Sequence, residues 1–480
     1  MKYVRRLSNA VLVVAACAIV CACGGHSSNT VVPVVIPPPG GSPVGSWEWV
    51  GGANVASARG SYGTLGTAAA GNSPGARDGQ SAWIDASGKL WLFGGLGFDS
   101  AGNGGDLNDL WTFSPATGQW TWVSGASTEG AGGVYGTLGT PAATNAPGSR
   151  ESAVSWIDSA GNLWLFGGAG HDSTGTSGAL NDLWEFTPGT GQWTWVSGAA
   201  TVNAAGTYGT LGTAAANTTP GAREVSVSWI DAAGNLWLFG GVGYDSTGTL
   251  GDLNDLWRFS PTTGQWTWVS GASTVNAQGV SGTLGTPAAT NVPGARYAAV
   301  SWIDPAGNLW LMAGSGYDSV GTIGYLNDLW KFSPASGEWT WVTGSATANA
   351  QGAYGTEATA ASGNVPGARE APMAWTDSAG NLWLLGGVGF DYAGTNGYLS
   401  DLWKFSPGTG QWTWLSGPAP ANSAAAYGTL GAGAAANAPG GRFAASAWTD
   451  ASGNLWLFGG QGIDSTGAVG DLNDLWKYTP

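Results

Sequence analysis

Trp47-Glu48-Trp49-Val50 reads as a strand without a neighbour until the chain is laid out in steps of 73 residues. One step on stands Trp120-Thr121-Trp122-Val123, and the same Trp-x-Trp-aliphatic stretch returns at Trp193, Trp266, Trp339 and Trp412. A further step would run past Trp476-Lys477-Tyr478-Thr479-Pro480, where the sequence ends. The stretch missing from the last copy is present before the first. A closed ring whose two ends pair in one sheet explains this split, whereas an open stack of repeats does not.

The same 73-residue ruler runs through Arg77, Arg150, Arg223, Arg296, Arg369 and Arg442 without an insertion or deletion. A fixed period in this range marks a repeat architecture. Within the first copy, Gln80 to Ile84 is a short apolar stretch ended by the turn signal Asp85-Ala86-Ser87-Gly88. Lys89 to Phe93 is apolar on both faces, as in a strand buried between sheets. Asp109 to Phe113 gives a third strand, Ser114 to Gly118 a tight turn, and Trp120 to Val123 a fourth strand with period-two alternation. Helical spacing is absent. The expected fold is all-β, a six-bladed β-propeller of four-stranded antiparallel blades, closed by pairing the N-terminal strand with the last blade.

The order of these signals resembles the kelch repeat: an Arg before the first strand, Gly94-Gly95 after the second, and Asn108-Asp109-Leu110-Trp111-Thr112-Phe113 leading to Trp120. The resemblance covers residues 44–480 in six copies. It departs from the family in unit length, since kelch units run to about 50 residues. Ala313-Gly314 replaces Gly-Gly in the fourth copy and Ser400 replaces Asn in the fifth. These are small drifts at structural positions.

The first residues form a separate device. Lys2, Arg5 and Arg6 precede an apolar run from Leu7 to Ala22, shorter than the ~20 residues that span a bilayer, so residues 1–23 read as a secretory signal. Val20-Cys21-Ala22-Cys23 resembles a bacterial lipobox, which implies lipidation at Cys23; Cys17 is the second choice and an unlipidated signal the alternative. Residues 24–43, with Pro37-Pro38-Pro39, read as a tether reaching ~60 Å if extended at about 3.1 Å per residue. The expected location is the outer membrane or cell surface, with the membrane touched only through the lipid.

Composition narrows the function. Charged residues are 9% of the chain, but 30 Trp, five in each copy, supply ample core and argue against disorder. All 3 Cys lie in the leader, so the folded part has no disulfides. Net charge is −15 and falls to −18 once three leader cations are removed, which argues against nucleic acid as a partner. The expected form is a monomer that meets a protein or glycan at the cell surface.

Alternating strands put the 2–3 loops and the blade connections on one face, and both are long, which points to that face as the binding surface. The competing reading is that connections such as Tyr135-Gly136-Thr137-Leu138-Gly139-Thr140 only cover blade edges. Arg77, Arg150, Arg223, Arg296, Arg369 and Arg442 are candidate ligand contacts near the channel mouth, against a structural role between blades. Arg296 and Arg442 stand out because Tyr297 and Phe443 follow them, where the other four have an acid next door. Phe98, His171, Tyr244, Tyr317 and Phe390, with Ile463 in the sixth copy, share one loop position and are candidate sugar or peptide contacts. Asp99, Asp106, Asp245, Asp252, Asp464 and Asp471 are weak calcium candidates, against turn-closing by the same carboxylates.

Catalysis is not expected. The copper site of galactose oxidase, a relative with a kelch-like propeller, needs a Cys and two His; the propeller here has no Cys and only His171. Near-identical copies offer no singular constellation, so no cofactor is called for, calcium apart. The expected role is a non-catalytic binding or scaffold module acting through the long-loop face. The alternatives are a carbohydrate-active enzyme of sialic-acid-mutarotase type and a structural envelope protein with no ligand.

Overall fold

The computed structural model describes residues 45–480; the leader, Cys23 and the tether lie outside the described residues. In the first blade Ser81–Ile84, Leu90–Phe98, Gly104–Ser114 and Gln119–Ser124 pair in chain order, each antiparallel to the next. The next four blades repeat this plan. The sixth takes Ser446–Thr449, Leu455–Phe458 and Leu475–Thr479 from the end of the chain and Ser46–Gly51 from its beginning. Trp47 lies opposite Tyr478 and Trp49 opposite Trp476. Each innermost strand touches the next, and the sixth touches the first, so the ring is closed: a six-bladed propeller.

The core lies between blades. Leu163, Leu165 and Trp184 of the second blade pack with Trp83, Phe93 and Leu110 of the first, and corresponding clusters fill the other interfaces. The innermost Trp83 indole donates to the Trp156 carbonyl of the next blade at 2.7 Å, a bond that ties neighbours as well as filling space. Burying so many large aromatic faces supplies the drive that disulfides provide in smaller exported domains.

At Gly94-Gly95 the second strand breaks register and bends. Both glycines have positive φ, 64° and 97°, and a Cβ on either would stand 2.6 Å from a backbone carbonyl, Arg150 O for the first and Asp78 O for the second. The Gly-Gly signal therefore marks a bulge where two backbones nearly touch. Ala313 holds the same bend at φ 67°.

Beyond the bulge the structure departs from the sequence reading. The 2–3 segment is no loose loop: strands two and three continue past the glycines as a hairpin, Gly97 opposite Gly105 and Phe98 opposite Gly104. The blade connections leave the hairpin face and lie along blade edges. Gly66 N–H donates to Trp122 O, and Ala69 bridges to Trp120, so the connection forms a fifth layer on the outer strand. The same bridge recurs at Ala142, Ala215, Ala288 and Ala361, and residues Gly433–Ala434 pair with Trp47 in the sixth blade. This covers the edge strand that would otherwise invite intermolecular pairing.

Candidate functional site

The arginines are not at the channel mouth. Each is inside its blade, 0–1% exposed, and grips an aspartate of the Asn-Asp-Leu-Trp motif. Arg77 Nη1 and Nη2 donate to Asp109 Oδ1 and Oδ2 at 2.7 and 2.8 Å, while Nη1 and Nε also donate to the carbonyls of Gly94 and Gly75. The Tyr62 hydroxyl and Trp111 indole complete the carboxylate at 2.6 and 2.7 Å. Arg150–Asp182, Arg223–Asp255, Arg296–Asp328, Arg369–Asp401 and Arg442–Asp474 repeat the pair. The ligand-gripping role expected of these six is corrected to a structural one, and Arg296 and Arg442 are as firmly paired as the rest. The error lies in strand alternation: an acid next to an arginine in a strand points to the opposite face. In the fourth blade Ser281 stands where the others have the tyrosine, and the Asp328 side chain is 9% exposed where its five counterparts are 0%.

Three of the calcium candidates are likewise consumed by structure. Asp99, Asp245 and Asp464 close the hairpin turns: Asp99 Oδ1 accepts the N–H groups of Ala101 and Asn103, both at 2.8 Å. Asp245 and Asp464 accept the corresponding N–H groups and a threonine hydroxyl. These bonds hold the Asp99, Asp245 and Asp464 carboxyls below the usual range although burial opposes it. Among the described residues no group of three or more His, Cys, Asp or Glu is placed to hold a metal ion.

Asp106, Asp252 and Asp471 go elsewhere, into a cup on the hairpin face. Its floor is a closed belt of backbone hydrogen bonds. Ser152 N–H donates to Gly79 O, Val225 to Ser152, Ala298 to Val225, Ala371 to Ala298, Ala444 to Ala371, and Gly79 to Ala444. All six residues have φ between 47° and 61°, and five of them are not glycine. A left-handed conformation costs a β-branched residue such as Val225 most, and backbone strain of this kind gathers at functional sites.

Around this floor the six copies disagree. The residue after each arginine is Asp78, Glu151, Glu224, Tyr297, Glu370 or Phe443. The facing third-strand position is Asp106, Ala179, Asp252, Tyr325, Tyr398 or Asp471. The result is an acidic arc from blade six through blade three and an aromatic arc over blades four to six. In the aromatic arc Tyr325 meets Phe390 at 6.0 Å and Tyr398 meets Phe443 at 5.8 Å between ring centres. Asp78, Glu151, Glu224, Val225, Phe443 and Gln461 are among the residues lining a recess of about 60 Å³.

The carboxyls here resist ionisation, in contrast to the turn aspartates. Burial raises Glu370 to about 8, and burial with the nearby Asp106 charge raises Glu224 to about 7. Burial raises Asp106 to about 6 against the pull of His171, whose Nδ1 lies 3.6 Å from Asp106 Oδ2. Burial and the Asp471 charge push Asp78 up, and the two carboxyls share a hydrogen bond. Burial raises Asp471 as well, to about 6. Glu151 is pushed up by burial, then by Asp78 and Glu224.

The loop aromatics are partly corrected too. Phe98, His171, Tyr244, Tyr317 and Phe390 end the second strands and are half-buried, and Ile463 is buried. They form no open ring; Phe390 and His171 contribute to the cup through Tyr325 and Asp106. The opposite face is simpler. There the innermost strands line a channel of about 400 Å³ with Ile84, Ile157, Ile230 and Ile303 among its walls. Ser155, Ser228 and Ser301 hydroxyls donate to carbonyls of the preceding blade.

Sequence reading missed Asp78, Glu151, Glu224 and Glu370 as site residues, having treated four of the acids as partners of the arginines beside them. The available signal was their variation among otherwise matching copies. No family model matches the chain, and no curated protein matches it. Among solved structures the chain is similar to one described as the structure of YjhT, with 17% identity, 84% of this chain and 95% of that chain covered, and a TM-score of 0.49. The architecture is carried by the strand pairing itself.

Proposed function

We propose that this chain is an exported, lipid-anchored propeller of kelch type that binds a ligand in the hairpin-face cup and does not catalyse a reaction. One observation carries the reading: the six copies agree at the buried Arg–Asp–Trp sites and disagree around the floor of the cup. A purely structural ring has no reason to place carboxyls in one arc and aromatics in another, since burying acids away from counter-charges costs stability. The strained floor and raised carboxyls are the kind of local cost that a binding site accumulates.

The cup also argues against a sugar acid as guest. Seven carboxyls surround it (Asp78, Asp106, Glu151, Glu224, Asp252, Glu370 and Asp471) and no Lys or Arg lines the recess. A ligand carboxylate would find no counter-cation there and would be repelled by whichever acids are ionised. The hydrogen-bonded Asp78–Asp471 pair favours a second reading, general acid–base chemistry on a carbohydrate, because one carboxyl holds a proton beside an acceptor. Two experiments separate the readings. A glycan array and cell-surface cross-linking with the intact protein should give binding that Glu151→Gln with Glu224→Gln removes. Silence in both would sink the binding role; turnover of a sugar abolished by Asp78→Asn would replace it with the enzymatic one.

A further inference from the structure

The ligand class can be narrowed from the shape and chemistry of the cup. Its recess of about 60 Å³ is small. The acidic arc supplies negative potential on one side, and the aromatic arc supplies ring faces on the other. Glu370 lies within the aromatic arc. It is paired across the strands with Val388 as Glu224 is with Val242, and so leaves the strand on the side opposite buried Arg369, toward the axis. Its side chain is nearly buried, 3% exposed, and Oε2 has no hydrogen-bond partner. A carboxyl oxygen left unpaired against aromatic rings is a site waiting for a cation, because an unsatisfied buried acid is otherwise unfavourable. The apolar rim extends outward: Val320, Ile323 and Val469 are exposed on the hairpins of blades four and six.

We propose that the cup takes an organic ammonium head group on an apolar or ring-bearing stem, the head entering the recess between the acidic and aromatic arcs. This rests on the binding reading above. An ammonium suits the site better than a metal ion, which needs oxygens converging on one point rather than spread along an arc. Phe443 lines the recess with Tyr398 5.8 Å from it between ring centres, aromatic rings attract a cation through their quadrupoles, and methylated ammonium groups lose little hydration on entry. Because the ligand favours ionised carboxylates, and Glu224 and Glu370 ionise only near about 7 and about 8, affinity should rise with pH across that range. Of the other groups facing the site, Asp78, Asp106, Glu151 and Asp471 are also raised by burial and act in the same direction, and Asp252, His171 and Glu129 complete the set.

The test is calorimetric titration of the intact protein with choline and with its uncharged tert-butyl isostere, dimethylbutanol, at about pH 7.5 and about pH 5. Choline should bind saturably, with the isostere at least ~10-fold weaker. Glu151→Gln with Glu224→Gln should weaken choline by ~10-fold or more, and so should the lower pH. Ser228→Ala, in the opposite channel, should leave binding unchanged. An unfolding midpoint at or above that of the parent shows that the double variant is folded. Equal binding of both probes, binding of neither, or choline binding indifferent to the double variant overturns the proposal. Loss of choline binding alone, with glycan binding to the cup retained, overturns the ligand class and leaves the binding role standing. Silence toward every probe and glycan removes both.

Discussion

Arg369 and Glu370 are neighbours in one two-residue strand, both buried, yet they belong to different parts of the molecule. Arg369 donates twice to Asp401, whose carboxylate also takes the Tyr354 hydroxyl and the Trp403 indole. The Arg369 charge pulls the Asp401 carboxyl below its usual range even though burial opposes this. Glu370 has an oxygen with no partner, and burial lifts its carboxyl to about 8. The arginine and indole bonds of the first arrangement recur in every blade, and the tyrosine in all but the fourth; the second position changes from copy to copy. One strand thus faces a satisfied scaffold on one side and an unsatisfied cup on the other. The copies are alike where they build the ring and differ where the proposed site lies.

Breaking the scaffold side should have the largest effect. Asp401→Ala leaves Arg369 buried without its counter-charge and strands the Tyr354 and Trp403 donors. A loss of about 3–5 kcal/mol is expected in denaturant unfolding, or failure to fold. Tyr208→Phe removes one charge-assisted bond to Asp255 and should cost about 1.5–3 kcal/mol in the same assay. Smaller still, and opposite in sign, Ser281→Tyr should add the bond that blade four lacks. Gly279 keeps the space that the matching glycine gives the ring elsewhere, since a Cβ on Gly60 would stand 2.6 Å from Tyr62. A gain of about 1 kcal/mol is expected, and a loss would show that blade four has repacked around Ser281. At the bottom of the scale, Leu65→Glu at the exposed edge cover should stay within about 0.5 kcal/mol, because the fifth copy already carries Glu357 there.

The ring was legible because it is written in spacing. Six arginines on one ruler set the blade count, and Trp47 to Val50 before the first copy indicated closure, which pairing with Leu475–Thr479 satisfies. The charge partners were legible in principle: an aspartate stands in the same motif of every copy, at Asp109, Asp182, Asp255, Asp328, Asp401 and Asp474. Proximity in sequence pointed instead to Asp78 or Glu151, and strand alternation turns those away. Hairpins were mistaken for loops because Gly94-Gly95 looks like a strand end, whereas the bulge lets pairing resume beyond it. The cup could not be read along the chain at all. Asp471 and Asp78 meet only when the ring closes, and the acidic and aromatic arcs exist only around the axis.

The separation of scaffold from site is tested most directly by stability as a function of pH. A carboxyl raised from about 4.5 to about 8 binds its proton more tightly in the folded state, so its favourable contribution is full below about 4.5 and is lost as pH climbs through about 8. Glutamine is the isostere of the protonated acid. Equilibrium unfolding of the parent protein and of Glu151→Gln/Glu224→Gln/Glu370→Gln should therefore give similar stability at about pH 5. At about pH 8 the triple variant should be the more stable of the two while its ligand binding is lost. A triple variant that is less stable than the parent at about pH 8 would show that these carboxyls hold the ring together, and would contradict the account.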